Sequence, residues 1–184
     1  MGLCLENACL INNLTSSLRT LNFLEKLVLN CSNQYFQEIK ELHGLFHTIS
    51  GLVPLKELTI TSKRYIKASE NYLIHLCRSI SEFRQLKCLK FHLIYTLDIL
   101  RELLKSLLAL PQLENLDLAY NTCANDYFIL NESPYMFIGR ELSKLKRLSE
   151  LRLKLSIIFS DELNDEYLLP WIRYIAQIKM LERL

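Results

Sequence analysis

Leu113-Glu114-Asn115-Leu116-Asp117-Leu118-Ala119-Tyr120-Asn121-Thr122-Cys123 decides how this chain is read. Its apolar and polar residues alternate, so Leu116 and Leu118 share one face of a short strand while Asn115 and Asp117 take the other. The same L-x-x-L-x-L spacing, with Ile or Phe admitted at its last position, returns four more times: Leu24, Leu27, Leu29; Leu55, Leu58, Ile60; Leu86, Leu89, Phe91; and Leu148, Leu151, Leu153. Partial copies stand at Leu3-Cys4-Leu5 and at Leu181-Glu182-Arg183-Leu184. First leucines at 24, 55, 86, 113, 148 and 181 are spaced by 31, 31, 27, 35 and 33 residues. A unit that recurs at this length is one supersecondary element repeated along the chain.

Helical patterns fill the gaps between motifs. The clearest spans 97–110, with apolar residues at 97, 100, 103, 104, 107 and 108, charges at 98, 101, 102 and 105, and Pro111 behind it as a stop. Further helices are expected near 8–21, 35–50, 68–83, 135–147 and 165–179, with Pro134 in a first turn and Pro170 at a kink or boundary. Strand, loop, helix and strand at near-constant spacing predict parallel strands joined by right-handed crossovers. An all-helical solenoid, which keeps the helices and denies the strands, is the competing architecture.

The stretch Leu113–Cys123 matches L-x-x-L-x-L-x-x-N-x-(L/C) throughout, and over residues 1–184 the chain resembles the leucine-rich repeat family. Long repeats with a true helix are similar to the ribonuclease-inhibitor-like subclass, although the spacings here are longer and less regular. The resemblance implies an α/β leucine-rich repeat solenoid, a curved horseshoe with parallel strands on the concave face and helices on the convex face. It implies a single domain of about six repeats, and a role for Asn121 in satisfying backbone groups where the chain leaves the strand. The other repeats place Ser32, Lys63, Ile94 and Ser156 at that position. One such unit cannot offset its ordering cost alone, whereas a stack can. Because the chain starts inside one motif and stops inside another, the expectation is a piece of a longer solenoid, or a subunit whose ends neighbours cover. Residues 8–21 and 165–184 folding over the ends is the alternative.

Composition narrows function. Twenty-two Lys and Arg against 20 Asp and Glu give a formal charge of +2, with both signs scattered, so the electrostatic footprint of a nucleic-acid binder is missing. The four glycines, Gly2, Gly44, Gly51 and Gly139, make no phosphate-cradling loop. No basic segment followed by an apolar run opens the chain, and no apolar run is long enough to span a bilayer, so a cytoplasmic protein off the membrane is expected. The N-x-S/T matches at Asn13, Asn30 and Asn131 then have no glycosylation role. The six cysteines, Cys4, Cys9, Cys31, Cys77, Cys88 and Cys123, contain no C-x-x-C pair and read as reduced packing residues.

Catalytic and metal patterns are thin. His43 and His47 at i and i+4 suit a zinc site, but Gly44 stands where a metalloprotease carries its glutamate, and no third ligand follows. His75, among Leu73, Ile74, Leu76 and Cys77, reads as part of a helix packing surface. The acidic run Asp161-Glu162-Leu163-Asn164-Asp165-Glu166 lacks the glycine and terminal glutamate of an EF-hand loop and reads as a loop leading into a helix N-terminus. No G-x-S-x-G occurs. No enzyme activity, metal or cofactor is expected.

What remains is the polar side of the strands, which the resemblance turns into a concave surface. Its rows are Lys26, Val28, Asn30; Glu57, Thr59, Thr61; Cys88, Lys90, His92; Asn115, Asp117, Ala119 with Tyr120 beside them; and Glu150, Arg152, Lys154. From these, Lys26, Asn30, Glu57, Thr59, Lys90, His92, Asn115, Asp117, Tyr120, Glu150, Arg152 and Lys154 are the expected partner-binding residues. The expectation is a non-enzymatic scaffold that docks a protein partner on this face or at its open ends, within a larger assembly, with neither nucleic acid nor membrane as partner. Association end to end through uncapped terminal repeats is part of it. The rival is a recognition or regulatory segment of an enzyme complex, of the ubiquitin-ligase receptor or GTPase regulator type.

Overall fold

A computed structural model describes residues 2–4, 17, 23–30, 47–49, 54–61, 70–94, 96–122, 134–157 and 173. The five full motifs and the partial copy at Leu3 become strands: β1 (Gly2–Cys4), β2 (Lys26–Asn30), β3 (Glu57–Thr61), β4 (Cys88–Ile94), β5 (Asn115–Thr122) and β6 (Glu150–Ile157); the partial copy at Leu181 lies outside the described residues. The six lie side by side in chain order in one sheet, and every pairing is parallel. Three described helices stand between them: α1 (Glu70–Ile80), α2 (Leu97–Leu107) and α3 (Pro134–Leu142). The result is an α/β architecture, and the all-helical alternative is overturned by the sheet.

The register follows the motif. Leu27, Leu58, Leu89, Leu116 and Leu151 align across β2 to β6, as do Leu29, Ile60, Phe91, Leu118 and Leu153. Because side chains alternate along a strand, this alignment sends both rows to one face. There they meet the apolar sides of the helices, including Leu76 and Ile80 of α1, Leu103 and Leu107 of α2, and Ile138 and Leu142 of α3, in one continuous core. Burying each such side chain is worth about 1.5–3 kcal/mol.

A second ladder locks the turns before the strands. The carbonyl of Glu25 accepts the backbone N–H of Lys56 and Glu57 at 2.8 and 2.9 Å. Lys56 O receives Lys87 and Cys88, Lys87 O receives Glu114 and Asn115, and Glu114 O receives Ser149 and Glu150 in the same way. Each repeat thus hands the next a carbonyl with both lone pairs used, which fixes the register before the sheet begins.

Helix ends differ from the expected spans for a common reason. Thr96 begins α2 from an extended conformation, φ −133° and ψ 160°, and its Oγ1 accepts the N–H of Ile99. Asp98 in the first turn and Lys105 in the last suit the helix dipole. Pro134 opens α3, where its missing N–H costs nothing. Yet α2 stops at Leu107 rather than 110, α1 at Ile80 rather than 83, and α3 at Leu142 rather than 147. Beyond each end the chain tightens into turns, with Phe83 N–H bonded to Ile80 O, Leu110 to Leu107 O, and Leu145 to Leu142 O. Phe83, Leu110 and Leu145 remain buried, so the apolar spacing that reads as helix is met by turns with the same three-residue step. Residues 47–49, Ser17 and Arg173 are helical. The rest of the helices expected near 8–21, 35–50 and 165–179 lies outside the described residues.

Candidate protein-interaction face

The side of the sheet opposite the core carries the polar members of each strand. Register places Lys26, Glu57, Cys88, Asn115 and Glu150 in one row, and Val28, Thr59, Lys90, Asp117 and Arg152 in the next. Strands lie about 4.8 Å apart, so neighbours within a row are in contact range. Lys26 pairs with Glu57 across β2 and β3, and the hydrogen bond and charge of Glu57 raise the Lys26 pKa. Asp117 receives Lys90 Nζ at 3.1 Å on one oxygen and lies 2.7 Å from His92 Nε2 on the other. Partial burial pushes the Asp117 carboxyl up, but the hydrogen bonds and charges of His92 and Lys90 outweigh it and hold the pKa below the usual value. Glu150 receives Arg152 Nη2 at 2.7 Å. Thr61 Oγ1 donates to Asn30 Oδ1 at 2.7 Å, and Asn115 Nδ2 donates to Cys88 Sγ at 3.2 Å.

These rows enclose an open depression of about 400 Å3, bordered by Lys26, Glu57, Lys90, Asp117, Glu150 and Arg152. Eleven of the twelve expected binding residues are therefore brought to one surface with their side chains described, and Lys154 stands exposed at its β6 margin. Tyr120 is placed in β5 by its backbone, while its side chain lies outside the described residues. Ala119 departs from expectation: it is 4% exposed and adds no surface. Beside it the pairing is irregular between Phe91 and Ile94, where His92 and Leu93 of β4 stand against the single residue Ala119 of β5. Ile94 consequently aligns with Tyr120 rather than with Asn121, which pairs with Ser156.

Other candidates separate from this face. His75 is exposed on α1, while its neighbours Leu76 and Cys77 are buried. His47 is exposed, and His43, Cys9, Cys31, Cys123, Pro170 and 161–166 lie outside the described residues. Cys77 is a free thiol enclosed in the core, where burial pushes its pKa up. No cluster of three metal-ligating side chains occurs among the described residues. None of the described helices is long and apolar enough to cross a membrane.

The sequence reading missed the ionic contacts between repeats. Lys56 pairs with Glu25 and Lys87 with Glu114 along the turns. On the helical side Arg78 of α1 donates to Glu102 of α2 at 2.9 Å, with Lys105 at 2.7 Å from the same carboxylate. The hydrogen bonds of Lys105 and then Arg78 lower the Glu102 pKa. The guanidinium groups of Arg101 and Arg140 lie over the ring of Phe137 of α3, at 5.7 and 5.6 Å from its centre. The signal for the turn pairs was present, since Glu25, Lys56, Lys87 and Glu114 occupy one motif position with signs that alternate where they pair.

Comparison with known proteins rests on structure alone, because no family model and no curated protein sequence matches the chain. The leiomodin-1 actin-binding site 2 superposes with a TM-score of 0.61 at 10% identity, over 91% of this chain and 88% of that one. The C-terminal domain of tropomodulin from Caenorhabditis elegans superposes with a TM-score of 0.58 at 15% identity, over 91% of this chain and 92% of that one. Identities this low establish a shared fold. They also correct the family expectation: the ribonuclease-inhibitor-like leucine-rich repeat assignment does not stand. The apolar spacing behind it is what any stack of strand–helix units needs, and its distinguishing asparagine occurs at one repeat, opposite Ser156 rather than in a ladder. In fold, the chain is similar to the leiomodin and tropomodulin domains.

Proposed function

We propose that this chain is a single-domain, non-enzymatic protein-interaction module, a curved repeat solenoid of the cytoplasm that docks a protein partner on its polar sheet face and needs no cofactor. The observation that carries the reading is the depression spanning β2 to β6, lined by side chains whose positions are fixed by register and by ion pairs within the face. Such a preformed surface loses little conformational freedom on binding. Actin is the partner proposed, on the ground that the fold extends over nine-tenths of the leiomodin-1 actin-binding site 2 match.

The test is co-sedimentation with filamentous actin, together with titration of fluorescent monomeric actin, for the wild-type chain and for the combined variant Asp117→Lys, Arg152→Glu, Lys154→Glu, Tyr120→Ala. Wild type should bind one form, and the variant should bind at least about tenfold more weakly, the scale of one hot-spot contact, while its circular dichroism stays unchanged. Equal binding by a folded variant removes the face from the reading, and absence of binding to either form removes actin.

A further inference from the structure

Hydrogen-bonding capacity on the polar face is unevenly spent. Each carboxylate is engaged: Glu57 by Lys26 and Glu150 by Arg152 on one oxygen, and Asp117 by Lys90 and His92 on both. At the β4–β6 corner the donors keep more in reserve. Arg152 commits one guanidinium nitrogen to Glu150 while its side chain is 67% exposed, and an arginine has five N–H groups to offer. Lys90 commits one contact to Asp117. Lys154 is exposed at the β6 margin, in register with Ala119, a residue too small and too buried to shield it. Among the described residues Lys154 makes no ion pair. Lys90, Asp117 and Arg152 align across β4, β5 and β6, and Lys154 lies two residues beyond Arg152 on the same face.

Building on the docking reading above, we infer that the β4–β6 corner of this face, through Arg152, Lys154 and Lys90, receives a short acidic segment of the protein partner. An incoming carboxylate meets spare donors without breaking an existing pair, and Arg152 can offer a second, fork-like contact. An incoming cation would find Asp117, the carboxylate at the centre of this corner, already held on both oxygens. A long polyphosphate chain suits the corner poorly, because Glu57, Asp117 and Glu150 interrupt any cationic track across the face.

The probe is fluorescein-labelled hexaglutamate, followed by anisotropy at low salt with the full 184-residue chain. Saturable binding is expected, weakening as salt rises toward physiological strength. Arg152→Glu with Lys154→Glu should weaken it by at least about fivefold, a loss carried by two charge-assisted contacts. Lys146→Glu, which changes net charge in the turn before β6 away from this face, should leave it within about twofold. Equal losses in the face and turn variants, or no binding, overturn the inference, as does tighter binding of labelled octathymidylate than of hexaglutamate. If actin binds through the face but hexaglutamate neither binds nor competes, this inference falls while the docking reading stands. If hexaglutamate binds at Arg152 and Lys154 while actin does not, actin falls as the partner and this inference stands.

Discussion

Replacing Asp117 with Asn tests whether the centre of the polar face is held by charge. The carboxylate joins Lys90 and His92, both on β4, to β5 beside the irregularity at His92 and Leu93. Its side chain is 23% exposed, so these contacts are screened more than core pairs but less than free surface ones. At about 0.2–1 kcal/mol for each of two such pairs, Asp117→Asn should cost roughly 0.5–2 kcal/mol near neutral pH. Urea unfolding followed by circular dichroism measures that loss, and a cycle with Lys90→Met isolates the Lys90 share. The pH dependence supplies an independent check. Because the folded-state pKa lies below the ordinary value of 3.8, the stabilisation is complete above that value and is lost as pH falls through the folded pKa. Asp117→Asn should therefore lose least relative to wild type once the pH has fallen below the folded-state pKa. An unchanged midpoint at pH 7, or a difference that grows as the solution is acidified, would falsify the electrostatic account.

Two further predictions concern the interior. Phe91 is fully buried among the aligned apolar rows, and Phe91→Ala should cost about 3–5 kcal/mol by chemical denaturation; a loss below about 1 kcal/mol would show that the core reading is wrong there. Cys77, fully enclosed with its pKa raised, should resist a thiol reagent in the native state and react once denatured, as read by mass spectrometry of labelled peptides, whereas rapid native labelling would mean that α1 is not packed as described.

The strands were legible because a period of two is stated directly by Leu27 and Leu29, Leu58 and Ile60, or Leu116 and Leu118, and only one register buries all of them. Helix ends were not, because Phe83, Leu110 and Leu145 satisfy apolar spacing equally well in a turn. The irregularity in β4 was hidden for a different reason. Leu89, Phe91 and Leu93 keep strict alternation within their own strand, and the mismatch exists only against β5, where Ala119 is covered on the polar face. His75 misled because an apolar neighbourhood in sequence is spread around a helix, so three buried neighbours, Leu73, Leu76 and Cys77, need not bury the residue among them. Family identity was over-read from spacing that reports packing geometry, and the residue types that would separate one repeat family from another were sparse.

The same register that builds the core also decides which charges remain for a partner. In a parallel stack, each motif position becomes a row, so a sign change between adjacent repeats at one position produces an internal ion pair: Lys26 with Glu57, Lys87 with Glu114, Lys90 with Asp117. Those pairs stiffen the face and the turns before it but leave little net field outside, which is why a formal charge of +2 conveys so little about binding. Unspent charge is left at positions where the alternation fails. Ala119 is such a position, and Lys154 beside it in β6 keeps its charge because the preceding repeat offers no carboxylate there. Introducing one supplies the test of this logic: Ala119→Asp should spend the Lys154 charge and weaken hexaglutamate binding in a chain that still carries every basic residue. Binding that survives Ala119→Asp in a folded protein would separate the partner site from the row logic that built the sheet.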